Sequence, residues 1–156
     1  PGVPYLDTAG KPARFPFLSA NTYRSDPAGV HAYLPWTILD RAGLKVGVVG
    51  ATTPGVTLWD AENIKGRLRF GDIVPAVRQA VQEVRAAGAD IVLVTVHSGI
   101  NEPSSYDTVT TGVEGEHLAA RKASEGPAIA LVRYSHSHMR VRVTTNDRPI
   151  LTQPDE

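Results

Sequence analysis

Residues 90–99 read Asp90-Ile91-Val92-Leu93-Val94-Thr95-Val96-His97-Ser98-Gly99. After Asp90 the run is apolar, strand-length and rich in β-branched side chains. That pattern predicts a strand buried on both faces, with a histidine where the strand runs out. Immediately upstream, Ile73, Val77, Val81 and Val84 recur at spacings of four, four and three, one apolar stripe of a helix over residues 73–87. Asp72 stands at its N-cap, Pro75 in the first turn where a missing N–H costs little, and Gly88 at the C′ position. Further upstream, Lys45-Val46-Gly47-Val48-Val49-Gly50 reads as a second buried strand. With residues 33–39 it suggests a hairpin turning at Asp40-Arg41-Ala42-Gly43. Residues 15–21 read as a short strand. Residues 1–16, with four prolines and two glycines, read as a loop arriving from elsewhere. Downstream, the pattern predicts a weaker helix at 114–124 and a strand at 129–134. A closing hairpin follows over 139–145 and 148–152, turning at Asn146-Asp147. Strands alternating with helices argue for an α/β layer arrangement.

Composition narrows the function. The chain has 156 residues, enough for one domain or a large part of one. Apolar residues make up 42%, too many for a disordered chain. Lys plus Arg and Asp plus Glu both number 16, so the basic face that nucleic-acid binding usually needs has no support. No apolar run approaches the roughly 20 residues of a membrane span, and no signal peptide is recognisable. Pro1 is not an initiator, so further polypeptide is expected upstream. Cysteine is absent, which excludes disulfides and thiolate ligands.

Two histidine motifs sit at predicted strand ends: Val96-His97-Ser98-Gly99 and Tyr134-Ser135-His136-Ser137-His138. In open α/β sheets, ligands collect at the carboxyl ends of strands. Imidazoles delivered there are good ligands for a divalent transition metal. His136 and His138 point the same way on an extended segment, or diverge in a turn and serve two metals. The plainer reading is a histidine satisfied by local hydrogen bonds or exposed on a loop. Two such motifs in one cysteine-free chain favour metal over that reading. Three imidazoles are still too few for a working two-metal site, so part of the machinery is expected outside the chain. His31 reads as a solvated loop residue and His117 as a helix-surface residue. Asp90 lies on the entry side of its strand, away from His97. A P-loop is excluded because Gly-Lys-[Ser/Thr] is missing. A serine hydrolase is disfavoured because Ser98 is not in a Gly-x-Ser-x-Gly elbow.

Several segments, in order, resemble the second half of the calcineurin-like metallophosphoesterase domain of bacterial 5′-nucleotidases, of the 2′,3′-cyclic-nucleotide 2′-phosphodiesterase/3′-nucleotidase type. They are Phe15-Pro16-Phe17-Leu18-Ser19-Ala20-Asn21, Lys45-Val46-Gly47-Val48-Val49-Gly50-Ala51-Thr52-Thr53-Pro54, Asn63-Ile64-Lys65-Gly66, Gly88-Ala89-Asp90-Ile91-Val92, Val96-His97-Ser98-Gly99 and Ser135-His136-Ser137-His138. The resemblance implies an α/β fold, part of a four-layer α/β/β/α metallophosphoesterase sandwich with mixed sheets, with residues 1–156 forming one partial domain. It implies that His97 and His136 bind one metal and His138 the other, in a site for two divalent transition ions (Mn, Zn, Fe or Co). The implied substrate is a nucleotide and the implied location periplasmic or extracellular. The family places its Asp-x-His, Gly-Asp and Gly-Asn-His-Glu/Asp motifs, which carry the bridging aspartate, an asparagine ligand and the catalytic histidine, upstream of the segment matching Phe15, so these residues and a C-terminal nucleotide-binding domain are expected to be missing here. The missing N-terminal half of the domain is therefore an expected partner, and the isolated chain is expected to have little or no activity. The alternative is a non-catalytic metal- or nucleotide-binding fragment of the same fold. Locally, Ser135 stands where the family has glycine, Ala130 replaces a usual aspartate, and Arg133 falls in a strand expected to be buried.

Overall fold

The computed structural model describes residues 3–97, 131–135 and 150–152. Along the chain run α1 (Val3–Gly10), β1 (Thr22–Arg24), β2 (Trp36–Arg41), β3 (Leu44–Thr52), α2 (Val56–Trp59), α3 (Ala61–Ile64), β4 (Leu68–Phe70), α4 (Ile73–Ala86), β5 (Ile91–His97), β6 (Leu131–Ser135) and β7 (Ile150–Thr152). Five strands form one mixed sheet in the order β2-β3-β5-β6-β7. The pair β2–β3 is antiparallel and the other three pairs are parallel. β1 and β4 form a separate antiparallel pair.

The core lies between α4 and the centre of this sheet. Ile73, Val77, Ala80, Val81 and Val84 are the buried side chains of α4, the predicted stripe with one alanine added. They pack with Val49 and Ala51 of β3 and Val92, Val94 and Val96 of β5 in one cluster. Burying each of the larger aliphatic side chains contributes on the order of 1.5–3 kcal/mol. Gly47 is needed for this contact, because a Cβ there would stand 2.7 Å from Val84 Cγ2 and 3.0 Å from the Ala89 Cβ. The helix ends as its sequence predicts. Gly88 has φ +95°, its N–H donates to Arg85 O at 2.9 Å, and the Ala89 N–H donates to Val84 O at 3.1 Å. This is a Schellman closure that satisfies two orphan carbonyls. The Arg85 guanidinium adds donors to the carbonyls of Ala89 and Asp90, binding the helix end to the start of β5.

The predicted hairpin is present, with Arg41 paired to Leu44. Both turn residues take positive φ, Ala42 at 50° and Gly43 at 81°. That two-residue geometry matches strand twist and normally selects Asn-Gly, so alanine is the strained member.

Four expectations need correction. Residues 3–10 are helical, not loop: Pro4 sits in the first turn, where it is tolerated, and the Thr8 hydroxyl donates to Pro4 O at 2.8 Å. Residues 15–21 form no strand; Leu18 makes a single bridge to Leu34 and the strand begins at Thr22. β5 is not buried on both faces: Val92, Val94 and Val96 are buried, whereas Thr95 and His97 are exposed. α4 covers the first set, and its stripe reaches no further. Asp72 occupies the N-cap position with an extended backbone, but its side chain makes no capping hydrogen bond. The predicted helix at 114–124 and most of the closing hairpin lie outside the described residues. Within that hairpin β7 is described, and it pairs in parallel with β6.

Candidate metal-binding edge

Strand register brings three carboxyl ends to one level. In the β3–β5 pair Thr52 stands opposite His97, and in the β5–β6 pair His97 stands opposite Ser135. All three strands are parallel and end at these residues. His97, expected at a strand end, is the last residue of β5 and is exposed. Ser135, its partner in register, directly precedes His136 in the sequence. His136 and His138 lie outside the described residues, as does His117. Among the described residues no three His, Cys, Asp or Glu side chains form a metal-sized group.

The other acidic and histidine candidates fall where the reading put them or serve the scaffold. Asp90 is at the opposite end of β5 from His97, and its Oδ2 accepts the Lys45 N–H at 2.8 Å. His31 is exposed and stacks on Tyr23 with ring centroids 4.7 Å apart. The sequence reading did not single out the backbone of this edge. After Thr52 the chain turns sharply: the Thr53 N–H donates to His97 O at 3.0 Å, and the Gly55 N–H donates to Thr53 Oγ1 at 3.1 Å. Thr53 is fully buried, so the residue that follows β3 is fixed against the end of β5.

Asn21 completes this edge from the opposite side. It is 0% exposed. Its Nδ2 donates to Thr52 O at 2.7 Å and Gly71 O at 2.9 Å, and its Oδ1 accepts the Thr52 N–H at 3.0 Å. The sequence reading placed Asn21 at the polar end of a strand. An amide between an alanine and a threonine carries no sequence signal of this role; burial at 0% exposure, which obliges its hydrogen-bonding sites to be met, is a fact of the fold.

No family model matches this chain. It is 30% identical over 145 residues to the 2′,3′-cyclic-nucleotide 2′-phosphodiesterase/3′-nucleotidase of Salmonella typhimurium, and 31% identical over 146 residues to the Haemophilus influenzae protein of that name. Each match takes in 88% of this chain. Its curated relatives are thus bacterial nucleotide phosphoesterases, and its structural neighbours are calcineurin-like phosphoesterases. The chain spans 21% of the length of each of these two relatives. The fold agrees with that of calcineurin-like phosphoesterase YfkN from Bacillus subtilis, with TM-score 0.76 and 24% identity over 98% of this chain and 50% of that one. The expected mixed α/β architecture is thus the observed one. Donor chemistry fits a divalent transition ion: a solvent-accessible imidazole ends β5, and a His-x-His pair follows the neighbouring strand in sequence. No helix among the described residues is long and apolar enough to cross a membrane.

Proposed function

We propose that this chain supplies one side of a two-metal site that hydrolyses phosphate esters of nucleotides. His97 and His136 ligate one ion and His138 the other. The observation that carries this reading is the register His97 opposite Ser135, which aligns the starts of both histidine motifs on one sheet edge. The chemistry that two divalent ions, Mn, Zn, Fe or Co, would supply when held there by His97, His136 and His138 is polarisation of the phosphoryl oxygens and a lowered pKa for water. The chain's part is to hold neutral imidazoles in place, each with one nitrogen toward the ion and the other fixed by an acceptor. Acid therefore weakens binding, since a protonated imidazole cannot ligate.

Asp-x-His and Gly-Asn-His-Glu/Asp do not occur in these 156 residues, and the one Gly-Asp, Gly71-Asp72, opens α4. We assign the bridging carboxylate, the asparagine ligand and the leaving-group histidine to polypeptide outside them, and residues 1–156 alone turn over little or no ester. A location outside the cytoplasm, periplasmic or extracellular, follows the family resemblance. The test is phosphate release by the complete polypeptide from 2′,3′-cyclic AMP, 3′-AMP and 5′-AMP with Mn²⁺ present. His97→Ala lowers kcat/KM on the order of 100-fold or more, as loss of a ligand should. Turnover that survives both a chelator and His97→Ala contradicts the proposal. Metal binding with no turnover on any of the three esters favours a non-catalytic binding fragment instead.

A further inference from the structure

We infer that Asn21 is a positioning residue for the metal-binding edge: its carboxamide stands in for a missing strand and sets where β3 holds His97. This rests on the metal-site reading above. Pairing with β2 carries one side of β3 as far as Val49. Beyond it, Gly50 O accepts the Ala20 N–H at 2.7 Å, and then the Asn21 side chain takes over at Thr52. A carboxamide carries the same donor and acceptor as a peptide group, so Asn21 exchanges two hydrogen bonds with Thr52 as a residue of an antiparallel neighbour would. Its second amide proton goes to Gly71 O, just before α4, and its second lone pair takes the Ser19 Oγ–H at 3.3 Å. Every hydrogen-bonding position of the side chain is used. On the far side of Thr52 lies His97, its partner in register. A single β3 residue separates the buried amide from the exposed imidazole.

Segment 18–21 can approach this closely because position 50 is glycine. A Cβ there would stand 2.5 Å from the Leu18 carbonyl oxygen. Asn21 is fully buried, so it acts through Thr52 and not on a ligand directly.

Mn²⁺ titration calorimetry of the complete polypeptide tests the inference against a core variant. Asn21→Ala weakens Mn²⁺ binding about tenfold, the low end for losing a group that orients a ligand. Val77→Ala lowers thermal stability and leaves Mn²⁺ affinity unchanged. Equal Mn²⁺ affinity in Asn21→Ala and wild type, with His97→Ala losing binding, overturns the inference and leaves the metal site standing. Unchanged affinity in His97→Ala overturns both. Should Asn21→Ala not fold, hydrogen exchange of the wild type decides. Coupling is reciprocal, so saturating Mn²⁺ raises protection of the Thr52 amide, and unchanged protection there overturns the inference.

Discussion

Along Leu44–Val49, β3 is paired with β2, is joined by β5 from Val46 onward, and lies under α4. Along Gly50–Thr52, β2 has ended, and that side is held by the Pro35 carbonyl, which accepts the Gly50 N–H at 3.4 Å, by Ala20 and by the Asn21 side chain. The first region is redundant. Several aliphatic side chains share one cluster, and losing one leaves the rest in contact. The second is specified residue by residue, through one glycine, one amide and one buried threonine. The candidate metal edge sits on the second, and the first keeps it in place.

This contrast is sharpest at Gly50. Gly50→Ala forces a Cβ against the Leu18 backbone, which has no rotamer to relieve it. The expected loss is about 3 kcal/mol, at the upper end for overpacking. Val77→Ala in the redundant region is expected to cost roughly 2 kcal/mol, since the cavity is lined by neighbours that partly close it. Urea denaturation of both variants checks the order; a Gly50→Ala protein as stable as wild type would erase the distinction. Tyr33→Phe is expected to raise stability by about 1 kcal/mol, because the Tyr33 hydroxyl is buried with no hydrogen-bond partner among the described residues. Ala42→Gly relieves the positive φ of the hairpin turn and is expected to stabilise by up to about 1 kcal/mol, read as a rise in Tm.

The smallest expected effect is pH-dependent. The Glu83 carboxyl accepts the Trp36 indole N–H at 3.0 Å and the Gln79 amide at 2.9 Å, and these bonds hold its pKa below the usual carboxylate value. A depressed folded-state pKa contributes stability above the unfolded value, and that contribution is lost as pH falls through the folded value. Wild type should therefore lose slightly more stability than Glu83→Gln as pH falls from the usual carboxylate value through the lower folded one. Because Glu83 is exposed, the difference is small. Parallel acid titrations followed by Trp fluorescence measure it, and identical curves would remove Glu83 from the account.

Elements built on repetition were legible in the sequence. The α4 stripe, its Gly88 stop, the 41–44 turn and the β5 run each carry several residues that agree. His97 was legible for the same reason, since it ends such a run. Residues 3–10 misled because prolines and glycines flank or open the helix, where they are tolerated, and its apolar residues Tyr5 and Leu6 stay exposed. Residues 15–21 misled because their apolar character serves a crossing over Gly50 and not a ladder. No pattern marks a side chain that replaces a strand, so the role of Asn21 became visible only once Thr52 and Gly71 were placed beside it.

The central claim is that His97 and the His136–His138 pair hold divalent ions at the carboxyl edge shared by β3, β5 and β6. Metal content of the complete polypeptide after equilibrium dialysis against Mn²⁺ tests it most directly, with wild type compared with His97→Ala, His136→Ala and His138→Ala. The account predicts two ions per chain in wild type and fewer in each variant. Equal metal content in all four proteins would contradict it.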